Sequence, residues 1–113
     1  MLSKANRVAK DAEFKLLARS GRPFYSPLFT FKVLKTAEPQ IRFGVVISAK
    51  VSKKATQRNL AKRRITEIIR LSLTKIKPGF MVMILVKPAI LTKTYREIKA
   101  EMEFLLAKAG LWQ

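Results

Sequence analysis

The chain has 113 residues, and its 24 lysines and arginines against 7 aspartates and glutamates give a formal net charge of +17. It contains no cysteine and no histidine. That composition excludes disulfides, thiolate chemistry and most zinc sites, and it removes the commonest general base of enzymes.

Composition also limits the partners and the compartment. A charge of this size favours a polyanion, with nucleic acid ahead of an anionic membrane surface or an acidic protein. The start of the chain, MLSKANRVAKDAEFK, lacks the apolar segment of a signal peptide. The longest apolar run, FMVMILV, is far shorter than the roughly 20 residues that span a bilayer. We therefore expect a cytoplasmic protein with no membrane partner, folded as a single domain over residues 1–113.

The first predicted element is a helix over the segment DAEFKLLARSG. Asp11 is a candidate cap, and Phe14, Leu17 and Ala18 fall on one face. Gly21 is a candidate C-terminal stop. A helix of about two turns is not stable alone, so it must pack on another element.

Four strands are predicted. A short one lies near Phe24, a longer one runs over 28–34, and a turn at 38–40 precedes a third over 41–48. In the third strand one face is apolar and the other only partly polar, as expected for a groove. The run at 80–86 is apolar at every position and predicts a central strand covered on both faces.

A long helix is predicted to begin near Thr56 and to end before the KPG segment at 77–79. Its apolar residues recur at helical spacing and define one buried face. The residues of that face are Ala61, Ile65, Ile68, Ile69, Ser72 and Ile76.

The last element is a helix with a predicted capping box, Thr94 with Glu97, and a stop at Gly110. Glu97 and Glu101 are expected to form an exposed pair near lysines. The order helix, strands, helix, strand, helix predicts an α+β fold, a two-layer α/β sandwich of about four strands and three helices.

The polar face of the long helix is almost purely basic. From Lys50 to Lys77 there are ten basic residues and one acid, Glu67. One interpretation is an ordinary solvated helix of a basic protein. The other is a phosphate-binding face, because the helix has few acids for i, i+4 pairs and carries the wrong charge for its dipole in its first turns. These residues do not by themselves distinguish RNA from DNA.

The segment RNLAKRR..E resembles the RNR-type signature of the bacterial ribonuclease P protein component. The segments AEFKLLARSG, RFGVVISAKVSKKATQRN and VKPAILTKTYREIKAEMEFLL are similar to the same family in the same order, so the resemblance covers nearly the whole chain. It departs from the family at Leu60 and Thr66, where a basic residue is usual.

The resemblance implies a fold like domain 2 of ribosomal protein S5, with a left-handed βαβ crossover. It also implies that an RNA subunit, with Mg²⁺ bound on the RNA and substrate rather than at a dedicated protein site, cleaves the 5′ leader from precursor tRNA. The chain would then be a subunit of an endoribonuclease without catalytic residues of its own, and DNA is not an expected partner. The alternative left open is a structural or ribosome-associated RNA-binding protein.

The same resemblance assigns candidate residues to two surfaces. The signature residues Arg58, Asn59, Lys62 and Arg63 are expected to bind RNA, and the leader of precursor tRNA is expected to lie in a cleft at Phe14, Lys32 and Arg42. Further basic residues could replace the charge missing at Leu60 and Thr66 or extend the RNA-binding surface. These residues are Arg64, Arg70, Lys50, Lys53 and Lys54.

Overall fold

The computed structural model describes residues 2–113. This part of the chain contains three α-helices and four β-strands, and it confirms the α+β architecture. In chain order the elements are α1 (Asp11–Ser20), β1 (Arg22–Tyr25), β2 (Phe29–Lys35), β3 (Arg42–Val46), α2 (Ala55–Ser72), β4 (Phe80–Val86) and α3 (Tyr95–Lys108).

The strands form one mixed sheet in the order β1-β2-β4-β3. β2 pairs antiparallel with both β1 and β4, whereas β3 lies parallel to β4. Parallel neighbours need a long crossover connection, and α2 provides it. The hand of this crossover stays a prediction. At the outer edge of β3, the Val8 amide donates to the Phe43 carbonyl oxygen at 3.0 Å, so the N-terminal segment extends the sheet.

The main core lies between one face of the sheet and the pair α2 and α3. Phe29 and Phe31 project into it from β2, with their ring centroids 5.9 Å apart. The predicted buried face of α2 is confirmed in full, because 3.6-residue periodicity leaves only one face to pack on the sheet. The buried residues are Ala61, Ile65, Ile68, Ile69, Ser72 and, just beyond the helix, Ile76.

The opposite face of the sheet carries a smaller core under α1. Leu17 is fully buried there with Met81 and Met83 of β4. Since the alternate residues of β4 belong to the main core, the prediction that this strand is covered on both faces is confirmed over residues 81–84. Further along the same face, Val46 and Leu85 are only half-buried. This part of the sheet is therefore accessible as the wall of a cleft.

The ends of α1 differ in detail from the prediction. Asp11 is the first helical residue rather than the cap, and Lys10 occupies the cap position without a side-chain hydrogen bond. Gly21 follows the last helical residue as predicted, but with a φ of −67°. A Cβ there would lie 2.5 Å from the Leu17 carbonyl oxygen and 2.9 Å from the Cβ of Lys32. Close approach of α1 to β2, not a left-handed backbone, therefore requires glycine.

At α3 one prediction is confirmed and another is wrong. The capping box of Thr94 and Glu97 is present in both directions. Glu101, however, is not half of an exposed pair. Its Oε2 accepts hydrogen bonds from the Ser26 hydroxyl at 2.7 Å and the Leu28 amide at 2.6 Å, which fixes α3 to the turn between β1 and β2. Within residues 2–113, no helix has the length and apolarity to cross a membrane.

Candidate nucleic-acid interface

The outer face of α2 is a basic surface produced by the way its isoleucines pack. Because Ile65, Ile68 and Ile69 face the sheet, the polar residues between them face outward. Most of the predicted RNA-binding residues of this helix are exposed, and Arg58 is half-buried. The exposed ones are Asn59, Lys62, Arg63, Arg64 and Arg70.

Four of these cations lack a neutralising carboxylate. Within residues 2–113, no carboxylate oxygen lies within 4.0 Å of the side-chain nitrogens of Arg58, Lys62, Arg63 or Arg64. Arg70 differs, because it forms a bidentate pair with Glu67 at 2.6 and 3.1 Å. The hydrogen bonds from Arg70 hold the pKa of the Glu67 carboxyl below its ordinary value. Arg70 is therefore a weaker replacement for missing charge than the sequence suggested.

The loop before α2 adds three exposed lysines, Lys50, Lys53 and Lys54. Its conformation is fixed at two points. Val51 is buried in the main core, and the Arg58 guanidinium donates to the Ser52 carbonyl oxygen at 2.8 Å. The lysines are thus held beside the first turn of α2, which contains no acid and no side-chain cap. Phosphate oxygens are the ligands that such an uncapped, positively charged helix start favours.

The predicted cleft residue Phe14 lies on α1, half-buried against the open face of the sheet. The ring rests on Gly44 of β3: a Cβ at that position would lie 2.5 and 2.7 Å from Cε1 and Cζ of Phe14. Because glycine has no side chain, Gly44 leaves the space that the ring occupies, and this contact is the seat of Phe14. Sequence reasoning placed Gly44 on the correct face of its strand but did not connect it with Phe14, since the contact joins segments 30 residues apart.

The two other predicted cleft residues are engaged in contacts that hold α1. Lys32 Nζ donates to the Ala18 carbonyl oxygen at 2.7 Å, at the negative end of the α1 dipole. Arg42 forms ion pairs with Glu13 at 2.6 Å and with Glu38 at 3.2 Å. The hydrogen bond between Arg42 and Glu13 lowers the pKa of the Glu13 carboxyl and raises the pKa of the Arg42 guanidinium. Both side chains position the wall of the cleft, and their contact with a leader stays a prediction.

A narrow groove at the edge of β3 connects the two predicted surfaces. Its lining includes Phe14 and Gly44 on one side and Lys62 and Thr66 of α2 on the other. Arg7, which the sequence reasoning did not select, lines the same groove because the N-terminal segment runs along β3. The fold thus places α2, which was predicted to bind RNA, beside Phe14, which was predicted to line the cleft.

The carboxylates do not fit a magnesium site. Glu13, Glu38 and Glu67 are paired with arginines, while Glu97 and Glu101 accept hydrogen bonds from backbone amides or hydroxyls. Within residues 2–113, no three His, Cys, Asp or Glu side chains are grouped closely enough to hold a metal ion.

Fold and surface together define the class: a small, strongly basic α+β protein whose cationic helix face adjoins a cleft. Comparison with known proteins narrows the class. The family profile described as Ribonuclease P matches residues 2–110. The ribonuclease P protein component of Rippkaea orientalis is 37% identical over 97% of this chain and 91% of its own length. That of Clostridium botulinum is 34% identical over 96% of this chain and 98% of its own length.

Solved structures agree at the level of the fold. The RNase P protein of Staphylococcus aureus superposes with a TM-score of 0.88 at 22% identity, over 97% of this chain and all of the other. The protein of Thermotoga maritima superposes with a TM-score of 0.83 at 23% identity, over 91% of this chain and 96% of the other. The chain belongs to the ribonuclease P protein family.

Proposed function

We propose that this chain is the protein subunit of ribonuclease P, which binds the catalytic RNA subunit and the 5′ leader of precursor tRNA. The holoenzyme removes the leader by endonucleolytic cleavage and leaves the mature 5′ end of the tRNA. The observation that supports this function is the uncompensated basic face of α2, continuous through Lys62 and Thr66 with the cleft beside Phe14.

The two surfaces have different tasks in this proposal. The outer face of α2 and the lysines of the preceding loop bind phosphates of the RNA subunit. The cleft between α1 and the sheet takes the single-stranded leader, whose bases can stack on a half-exposed ring such as Phe14. The protein supplies charge and shape, and Mg²⁺ held by the RNA and the substrate supplies the chemistry of phosphodiester hydrolysis. The complex acts in the cytoplasm, where precursor tRNA is made.

Binding through this face depends on salt in a predictable way. Each phosphate that a cation neutralises releases a counterion, so the logarithm of the affinity falls with the logarithm of salt by about 0.7–0.9 per phosphate. Removing Arg58 and Arg63 together should reduce that slope by about 1.4–1.8. The core should be unaffected, because Arg63 is exposed and the one hydrogen bond of Arg58 holds the lysine loop rather than the core.

The test is reconstitution with the cognate RNA subunit at low Mg²⁺, with cleavage of precursor tRNA as the readout. Added protein should restore cleavage, and the Arg58→Ala, Arg63→Ala variant should require much more protein for the same rate. Absence of any rescue by the wild-type chain would refute the proposed function.

A second measurement addresses the leader. The reconstituted enzyme should bind precursor tRNA more tightly than mature tRNA, and Phe14→Ala should reduce the difference. Stacking of one base is worth about 1–3 kcal/mol, so the preference should fall by about five- to 150-fold. Equal affinity of the wild-type enzyme for both tRNAs would favour a structural RNA-binding role instead.

A further inference from the structure

A second groove, separate from the leader cleft, lies between α2 and the segment that leads into α3. Its floor is apolar, formed by Ala61, Ile90 and Ile98. Its rim carries two leucines, Leu60 of α2 and Leu91 of the 3₁₀ helix Pro88–Thr92, whose side chains are 46% and 45% exposed. The two leucines and the apolar floor together form an apolar contact site that is open to a partner.

Charge indicates the nature of that partner. Within residues 2–113, the groove's lining contains one charged residue, Arg64, which has no carboxylate within 4.0 Å. A second copy of this chain would bring another net charge of +17 to the same place, which opposes association. RNA suits both kinds of residue, because its bases have apolar faces for the leucines and its phosphates carry the negative charge for Arg64.

Position and size support the same partner. Leu60 borders both the outer basic face of α2 and the groove itself. An RNA bound along that face therefore passes the rim. The groove has a volume of about 250 Å³, below the range of about 300–1,000 Å³ typical of drug-sized ligands. It suits one base rather than a longer stretch.

The groove also presents polar groups suited to a base. The Ser52 hydroxyl donates to Oε1 of Gln57 at 2.5 Å and fixes that side chain at one end of the groove. The amide nitrogen of the same side chain can donate to an oxygen or ring nitrogen of a base. The Arg64 guanidinium can stack on the base or bind the adjoining phosphate.

We propose that the groove between α2 and α3 receives one unpaired base of the RNA subunit, held between Leu60 and Leu91 with Arg64 on its phosphate. This inference rests on the proposed function and adds to it an apolar anchoring point beside the electrostatic face. It gives exposed Leu60 a role within an otherwise basic surface.

The experiment compares Leu60→Gln and Leu91→Gln with the wild-type chain in titrations of the cognate RNA subunit at several salt concentrations. Each variant should bind about tenfold more weakly, which corresponds to about 1.4 kcal/mol. The salt slope should stay unchanged, because an apolar contact releases no counterions. Arg63→Ala, in contrast, should reduce the slope by about 0.7–0.9.

Leu71→Gln is the matched control. Leu71 is 59% exposed and lies three turns beyond Leu60 on the same side of α2, outside the groove. It should bind RNA as the wild type does. Methylation of unpaired bases by dimethyl sulfate gives an independent readout: one adenine or cytosine protected by the wild-type chain should become reactive with Leu60→Gln and stay protected with Leu71→Gln.

Three results would overturn the proposal. Unchanged RNA affinity of both groove variants, with Arg63→Ala weakened, would reject the groove and leave the proposed function standing. Unchanged affinity of Arg63→Ala as well would reject both the groove and the RNA-binding role of the outer face of α2, whereas the proposed function itself fails only if the wild-type chain does not restore cleavage. If sedimentation equilibrium shows a wild-type dimer that Leu60→Gln dissociates, with no effect on RNA affinity, the groove binds a second copy of the chain instead.

Discussion

The seat of Phe14 on Gly44 allows the cleft proposed for the leader to be changed without touching a charge. In the variant Gly44→Ala, the new methyl group would lie 2.5 Å from Cε1 and 2.7 Å from Cζ of Phe14, and 3.2 Å from Cβ of Val8. Ordinary carbon–carbon contacts are about 3.5–4.0 Å. The ring must therefore move by about 1 Å or rotate away from the sheet.

The expected cost follows from that displacement. Overpacking a core by one methyl group costs about 1–3 kcal/mol, and Gly44 has no positive φ that would add backbone strain. For a domain of this size, each kcal/mol lowers the melting temperature by roughly 4 °C. Thermal unfolding should therefore shift down by about 4–12 °C. The preference of the reconstituted enzyme for precursor over mature tRNA should fall, while affinity for the RNA subunit should not change.

Gly110→Ala separates loss of stability from loss of the ring's position. Gly110 has a φ of +76° and nothing within 4 Å of an added Cβ, and it follows α3, which packs on the face of the sheet opposite Phe14. Alanine in the left-handed region costs about 1–2 kcal/mol, so the variant should be similarly destabilised yet retain its preference for precursor tRNA. If Gly44→Ala kept the full preference, or if Gly110→Ala lost it equally, the reasoning about the seat of Phe14 would be refuted.

Three further substitutions test how the fold holds its surfaces. Glu13→Gln should lower the free energy of unfolding by about 1–3 kcal/mol at neutral pH, as measured by urea titrations. Because the pKa of Glu13 is lowered in the folded state, the difference from the wild type should be complete above the ordinary pKa of 4.5. It should vanish as the pH falls through the lowered pKa. Ile65→Ala should cost about 2–5 kcal/mol by thermal unfolding, with wild-type RNA affinity wherever the variant stays folded. Glu101→Gln should lose about 1–3 kcal/mol by urea unfolding without changing the salt slope of RNA binding, and an altered slope would contradict its purely structural place.

Local pattern was sufficient for much of the fold. The period of the isoleucines fixes which side of α2 is buried, and seven consecutive apolar residues fix β4 as a strand whose middle is covered on both faces. The capping box of α3 follows from two residues three positions apart. Each of these features depends on neighbours within a turn or a strand, where the sequence carries the information directly.

Contacts between distant segments could not be predicted in this way. Arg42 pairs with Glu13 from 29 residues away, and Glu101 accepts from the Leu28 amide across 73 residues. The spacing placed Glu101 in an exposed pair and gave no partner for Glu13, although tertiary contacts half-bury both side chains. The groove that brings Arg7 to Lys62 likewise depends on the N-terminal segment running along β3, which no periodicity indicated.

The few acids of the chain stabilise the fold at places that leave the start of α2 without a carboxylate. Glu13 and Glu38 hold α1 and the edge of β3 through Arg42, and Glu101 holds α3 to the β1–β2 turn. Of the chain's seven acids, Glu67 is the one within the basic stretch from 50 to 77, and it pairs with Arg70 near the end of α2. The first three turns of α2 thus keep their full positive field at a cost in self-repulsion, which bound phosphates relieve. The electrostatics that limit the stability of the free protein therefore favour its complex with RNA.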